Sequence, residues 1–154
     1  MSVDTLILTL FEGIWNSKPD SKGPRNEKRA VAAFGCREGG GAPDTRLSDV
    51  PEWFCAIYNA GRRLDAAGID IVVWTDAGRV RIQIKSSQKN ATLFREKQKR
   101  GTYRPDIAVV VIDEDNHGAE DIRRLIIAAA TEQYEILLAK NANKVGVQFL
   151  VRAA

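Results

Sequence analysis

Apolar and polar positions alternate along this chain with periods that change from segment to segment. Val3, Ile7, Leu10 and Ile14 fall at helical spacing, so residues 3–15 predict a helix with one apolar stripe. A polar stretch with Pro and Gly, 17–26, leads to Pro24, which suits the first turn of a helix over 25–34. Residues 35–46 are Gly-rich and predict a loop, without the Gly-Lys-Ser/Thr ending that a phosphate-binding loop requires. Asp49, Val50, Pro51 and Glu52 make a helix-start signal. Trp53, Ile57, Ala60 and Leu64 then continue an apolar face as far as Gly68, predicting a helix there.

The centre reads differently. The β-branched runs 69–74 and 79–85 predict strands, joined by the turn Thr75-Asp76-Ala77-Gly78. Ser86 or Ser87 can cap a helix over 88–100. Residues 106–113 form a continuous apolar run, the mark of a strand covered on both faces. A helix from Ala119 to about Ala139 follows, with Ile122, Leu125, Ile126 and Ala129 on its buried side, and 145–151 predicts a closing strand. The whole predicts one α/β domain over 1–154: a central mixed sheet flanked by helices, with an added N-terminal helix and a C-terminal helix-strand.

The hairpin also predicts its own register. A turn centred between Asp76 and Ala77 pairs 74 with 79, 72 with 81, and 70 with 83. Asp70 and Gln83 then face each other with Cβ atoms ~5 Å apart, and Lys85 shares their face because strand side chains alternate. The opposite face carries Ile71, Val73, Val80, Ile82 and Ile84, all apolar.

Composition narrows the class without choosing a function. The 154 residues, 44% hydrophobic and 28% charged, have the balance of an ordinary globular domain with a real core. No apolar run approaches the ~20 residues that span a bilayer, and the N-terminus lacks the pattern of a secretory signal. Cys36 and Cys55 have no partners at ligand spacing, which favours a reducing, cytoplasmic setting. The net charge of +3 is unevenly spread: Lys85, Lys89, Arg95, Lys97, Lys99, Arg100 and Arg104 face a single acid, Glu96, within 85–104. Such a patch suits a polyanion at one face, and it suits a plain solvated helix as well.

Chemistry concentrates in the hairpin. Phosphodiester hydrolysis needs a hard cation to polarise the phosphoryl oxygen, and Mg²⁺ takes oxygen ligands, few of them from protein. Asp70 offers a carboxylate and Gln83 a neutral carbonyl oxygen, while Lys85 could orient or help deprotonate a water. A half-buried hairpin with three polar residues on its wet face is the competing account. Trp74 shares the Asp70 face and is the best-placed aromatic for touching a base, whereas Trp15 and Trp53 suit a core or an interface.

Residues 68–87, GIDIVVWTDAGRVRIQIKSS, resemble the central hairpin of the PD-(D/E)XK nucleases in the variant whose motif acid is Gln, as in Mrr-type restriction endonuclease domains and some homing and repair nucleases. Residues 23–34, GPRNEKRAVAAF, are similar to that family's first helix, and the basic helix and strand after the hairpin keep its order. The resemblance covers 23–113, leaving 1–22 and 114–154 as additions. It implies a restriction-endonuclease-like core and DNA cleavage with Mg²⁺, for which Mn²⁺ can substitute. Asp70, Gln83 and Glu27 would hold the metal, Lys85 would assist the water, and Lys89, Arg95, Lys97, Lys99, Arg100 and Arg104 would hold phosphates. With no separate recognition domain, a homodimer or tetramer would be needed. A nuclease fold kept only for nucleic-acid binding or assembly is the alternative that Gln83 raises. A metal-independent RNA-processing enzyme using Lys85 and His117 is a third. The acids from Asp113 onward start like a calcium loop but reach Arg124 where a bidentate Glu is required.

Overall fold

A computed structural model describes residues 22–152, so the helix predicted over 3–15 and Trp15 lie outside the described residues. Helix α1 (Lys22–Ala32) leads into a two-residue strand β1 (Gly40–Gly41) and then β2 (Phe54–Asn59). A short helix α2 (Arg62–Ala66) precedes the hairpin β3 (Ile71–Thr75) and β4 (Gly78–Lys85). Helix α3 (Gln88–Lys99), strand β5 (Ile107–Val111) and the long helix α4 (Ala119–Arg152) complete the chain. The sheet runs β1-β2-β3-β4-β5, antiparallel through β4 and parallel between β4 and β5. It is a mixed sheet flanked by helices, the α/β class that the hydrophobic pattern predicts.

The hairpin register matches expectation: Trp74 pairs with Arg79, Val72 with Arg81 and Ile71 with Ile82. Ser87 caps α3, its side chain accepting from the Asn90 N–H at 3.2 Å. Residues 22–32 form α1, a few residues earlier than predicted, with Pro24 inside the first turn.

Two predicted elements are corrected. The stretch from Asp49 to Gly68 is not one helix; it holds β2 and then α2. A register shift between Phe54 and Ala56 removes the strict alternation, so the buried residues Phe54 and Ile57 stand three apart and imitate a helical stripe. The C-terminal strand over 145–151 is also absent, because α4 continues to Arg152. No proline interrupts that stretch, and Gly146 costs a helix only ~1 kcal/mol.

The two faces of the sheet are covered unequally. On one, α1 (Ala30, Val31), the turn after it (Phe34) and α4 (Ile122, Ile126, Ala130) close over Ile57, Ile71, Val73, Val80, Ile82, Ile84 and Val110. The phenyl ring of Phe34 stacks on Phe54 at 4.8 Å, and Tyr134 of α4 stacks on Trp53 at 4.5 Å. On the other face α3 covers only the β4–β5 side, where Phe94 packs with Ile69, Val72 and Ile107. Tyr58 and Trp74 on that face stay exposed, at 41% and 43%. Among the described residues no helix is long and apolar enough to cross a membrane.

Gly68 turns the chain from α2 into the hairpin at φ +78, a conformation side chains rarely adopt. A Cβ there would stand 2.9 Å from the Tyr103 ring, which stacks on Phe94 at 4.6 Å. Gly68→Ala should therefore destabilise the fold by ~2–4 kcal/mol, combining backbone strain with overpacking. Urea denaturation would show this, and an unchanged midpoint would refute the packing described.

Candidate active site

Asp70 enters the sheet one residue before β3, with its N–H donating to the Ile82 carbonyl at 3.0 Å. Ile82 is already paired with Ile71, so this bond falls one residue out of the hairpin register, and the Asp70 side chain comes to lie beside Gln83 where the ladder ends. Both are buried, at 6% exposure each, on the face opposite the main core. The Ile84 N–H donates to Asp70 Oδ2 at 2.7 Å, and Gln83 Nε2 donates to the same oxygen. Gln83 Nε2 also donates to the Ile84 carbonyl at 3.2 Å. Among the described residues Asp70 Oδ1 and Gln83 Oε1 accept no hydrogen bond, so the pair keeps one oxygen each for a further partner.

A cleft of about 520 Å³ opens over this pair, lined by Glu27, Asp65, Asp70, Gln83, Lys85 and Lys97 among others. Glu27 arrives from α1 on the other side of the sheet. Its neighbour Asn26, fully buried, donates from Nδ2 to the Ile112 carbonyl at 3.1 Å and ties α1 to the end of β5. Lys85, the last residue of β4, holds its ammonium 5.2 Å from the centre of the Phe94 ring. It makes no ion pair within 4 Å among the described residues, so it remains available to a substrate.

The electrostatics follow from crowding acids into a partly dry site. Burial pushes the Glu27 carboxyl up to about 7, helped by the charges of Asp70 and Asp65 and opposed by Lys85. Burial likewise raises Asp70 to about 6, against the lowering effects of the Ile84 N–H, Lys85 and the Gln83 amide. Two carboxylates that resist ionisation side by side are the groups a divalent cation would stabilise. All the free donors are oxygens, which suits Mg²⁺. Among the described residues no three His, Cys, Asp or Glu side chains form a ligand cluster, so the protein's share would be Asp70, Glu27 and the Gln83 amide oxygen. Mg²⁺ commonly keeps several waters, and this small donor set fits that habit.

The structure gathers Glu27, Asp70, Gln83 and Lys85 in one cleft but disperses the basic segment. Lys97 lines the cleft, and helical periodicity places Arg100 and Lys89 near its flank. Arg95 and Lys99 project from the far side of α3. Arg104 is held by Asp106, with Nε and Nη2 at 2.9 and 2.8 Å from its two oxygens. Trp74 lies in a separate cleft. His117 is outside both; its Nδ1 accepts from the Asp113 N–H at 2.9 Å in the turn before α4. Asp65, Asn26 and Tyr103 contribute to the site without any local sequence signal, since only packing brings them there. Comparison of the chain with protein families, curated proteins and solved structures finds no match.

The raised carboxyls carry a sign. Asp70 moves from 3.8 to about 6 on folding, so the stability it allows is fully present below pH ~4 and lost as pH rises through about 6. In metal-free buffer, Asp70→Asn should gain stability relative to wild type between pH 4.5 and 8, by up to ~3 kcal/mol. Excess Mg²⁺ at pH 8 should raise the urea midpoint of wild type and leave the variant's unchanged. A variant that gains nothing on going to pH 8 would show that the carboxylate is not strained by burial.

Proposed function

We propose that this chain is a divalent-metal-dependent DNA endonuclease of the PD-(D/E)XK type, with Asp70, Gln83, Glu27 and Lys85 as its site. The observation that carries the reading is the buried Asp70–Gln83 pair sharing a cleft with Glu27 and Lys85. The succession of α1, β2, the hairpin, α3 and β5 also supports it, since β2 supplies a strand between the first helix and the hairpin, as in that family. A bound Mg²⁺ would polarise the scissile phosphate and offset the charge on its leaving oxygen. The protein's own groups do the rest. Ile84 N–H and Gln83 Nε2 fix Asp70 by one oxygen. Glu27 would join Asp70 at the cation, reaching the metal or the attacking water beside it. Lys85 can orient that water and balance negative charge growing on the phosphate. Lys97, flanked by Lys89 and Arg100, would hold the DNA backbone beside the cleft. Cutting both strands of a duplex would take two copies of the chain.

One observation favours a second reading. With Gln83 neutral and no three-acid cluster among the described residues, the fold could serve as a DNA-binding subunit without catalysis. Plasmid cleavage separates the two. Wild type should nick or linearise supercoiled DNA with Mg²⁺ or Mn²⁺ and not in EDTA, and Lys85→Ala should slow this by ~10²-fold or more. Full activity in EDTA, or in Lys85→Ala, would overturn the proposed chemistry. Wild type inert with both metals would leave the non-catalytic reading.

A further inference from the structure

Beside the first cleft lies a second, of about 310 Å³, on the same face of the sheet. Helix α2 stands at both, with Asp65 lining the first and Leu64 the second. Two exposed aromatic rings dominate this second cleft. Tyr58 and Trp74 meet edge to face at 6.4 Å, and the Arg79 guanidinium lies over the indole at 4.4 Å from its centre. Among the described residues its only charged lining residues are Arg79 and Arg81. Arg81 pairs with Asp106 at 3.3 Å, while Arg79 has no ion pair within 4 Å among the described residues. An aromatic platform ringed by arginine suits a ligand that is both flat and anionic. A hydrophobic protein segment would leave Arg79 without a counter-charge.

We infer that the Trp74–Tyr58–Arg79 cleft is a stacking subsite for one unpaired nucleobase of the DNA whose backbone occupies the neighbouring cleft. The inference rests on the nuclease reading for its substrate class, and adds a preference for DNA carrying a single-stranded nucleotide. Inside a duplex both faces of a base are already stacked, so only an unpaired base can enter. Trp74 follows Asp70 by four residues along the strand, ~13 Å at ~3.3 Å per residue. That is about four base steps at 3.4 Å per step. A base arriving there must displace the guanidinium from the indole. An exposed cation–π contact shifts an equilibrium only about 2- to 5-fold. Stacking of a base on an aromatic ring is worth roughly 5- to 150-fold. The base therefore wins the ring, and Arg79 is freed to hold the adjoining phosphate.

Fluorescence anisotropy on the full chain in EDTA tests this, using a labelled blunt duplex and the same duplex with a single-stranded extension. Wild type should bind the extended DNA about 5- to 150-fold more tightly. Trp74→Ala should erase that advantage, and Trp74→Phe, which keeps a ring, should retain most of it. An advantage that survives in Trp74→Ala, or is absent from wild type, would overturn the subsite and leave the cleft to another ligand such as a protein. Cleavage plays no part in EDTA. Loss of the extension preference in Trp74→Ala would thus support the subsite even if wild type failed to cut DNA with Mg²⁺.

Discussion

The bond from the Ile84 N–H to the Asp70 carboxylate is the contact on which the site depends. It forms where the hairpin ends, so it needs the register of β3 on β4 to be correct, and that register comes from two apolar strands that must bury the same face. A slip by one residue would turn Asp70 into the main core and Ile71 toward the cleft. The greasy back of the hairpin therefore holds the polar front in place. Once Asp70 is fixed by one oxygen, the Gln83 amide is fixed too, because its nitrogen reaches both Oδ2 and the Ile84 carbonyl.

The unequal covering of the sheet gives that front its chemistry. The face under α1 and α4 is closed and dry, and it anchors the fold. The face under α3 is covered only over β4 and β5, which leaves a cleft deep enough to desolvate Asp70 and Glu27 yet open to a substrate. Partial burial is the condition that raises a carboxyl without removing it from reach. Full burial would leave an acid permanently neutral, and full exposure would leave it an ordinary carboxylate.

How much of this was legible in the sequence follows from which interactions are local. The hairpin alternates strictly, so its register from 71 to 82 and the shared face of Asp70, Gln83 and Lys85 could be read from the residues alone, whereas the out-of-register step at Asp70 could not. Ser87 as the cap of α3 was equally local. The strand β2 was hidden because its register shift disguises the period of two as something closer to a helix. At the C-terminus, β-branched residues suggested a strand, but α4 simply continues there. Propensity is a weak guide when tertiary context decides. Glu27 could be placed only through the family resemblance, since its approach depends on Asn26 bonding to the end of β5. Asp65 and the Tyr103–Phe94 stack had no sequence signal. The basic segment misled in part: its charge is real, but a helix spreads it around its circumference and Asp106 engages Arg104.

The claim that buried Asp70 and half-buried Glu27 together receive a divalent cation is open to direct measurement. Carbon-13 NMR of the side-chain carboxyls, with pH titration of Asp70 and Glu27 in metal-free buffer and again with Mg²⁺, reads both groups separately. Without metal the midpoints should fall at about 6 for Asp70 and about 7 for Glu27. With Mg²⁺ both should move down, because the cation favours the charged forms. Midpoints near the ordinary carboxylate value of ~4 in metal-free buffer, or midpoints that Mg²⁺ leaves in place, would contradict it.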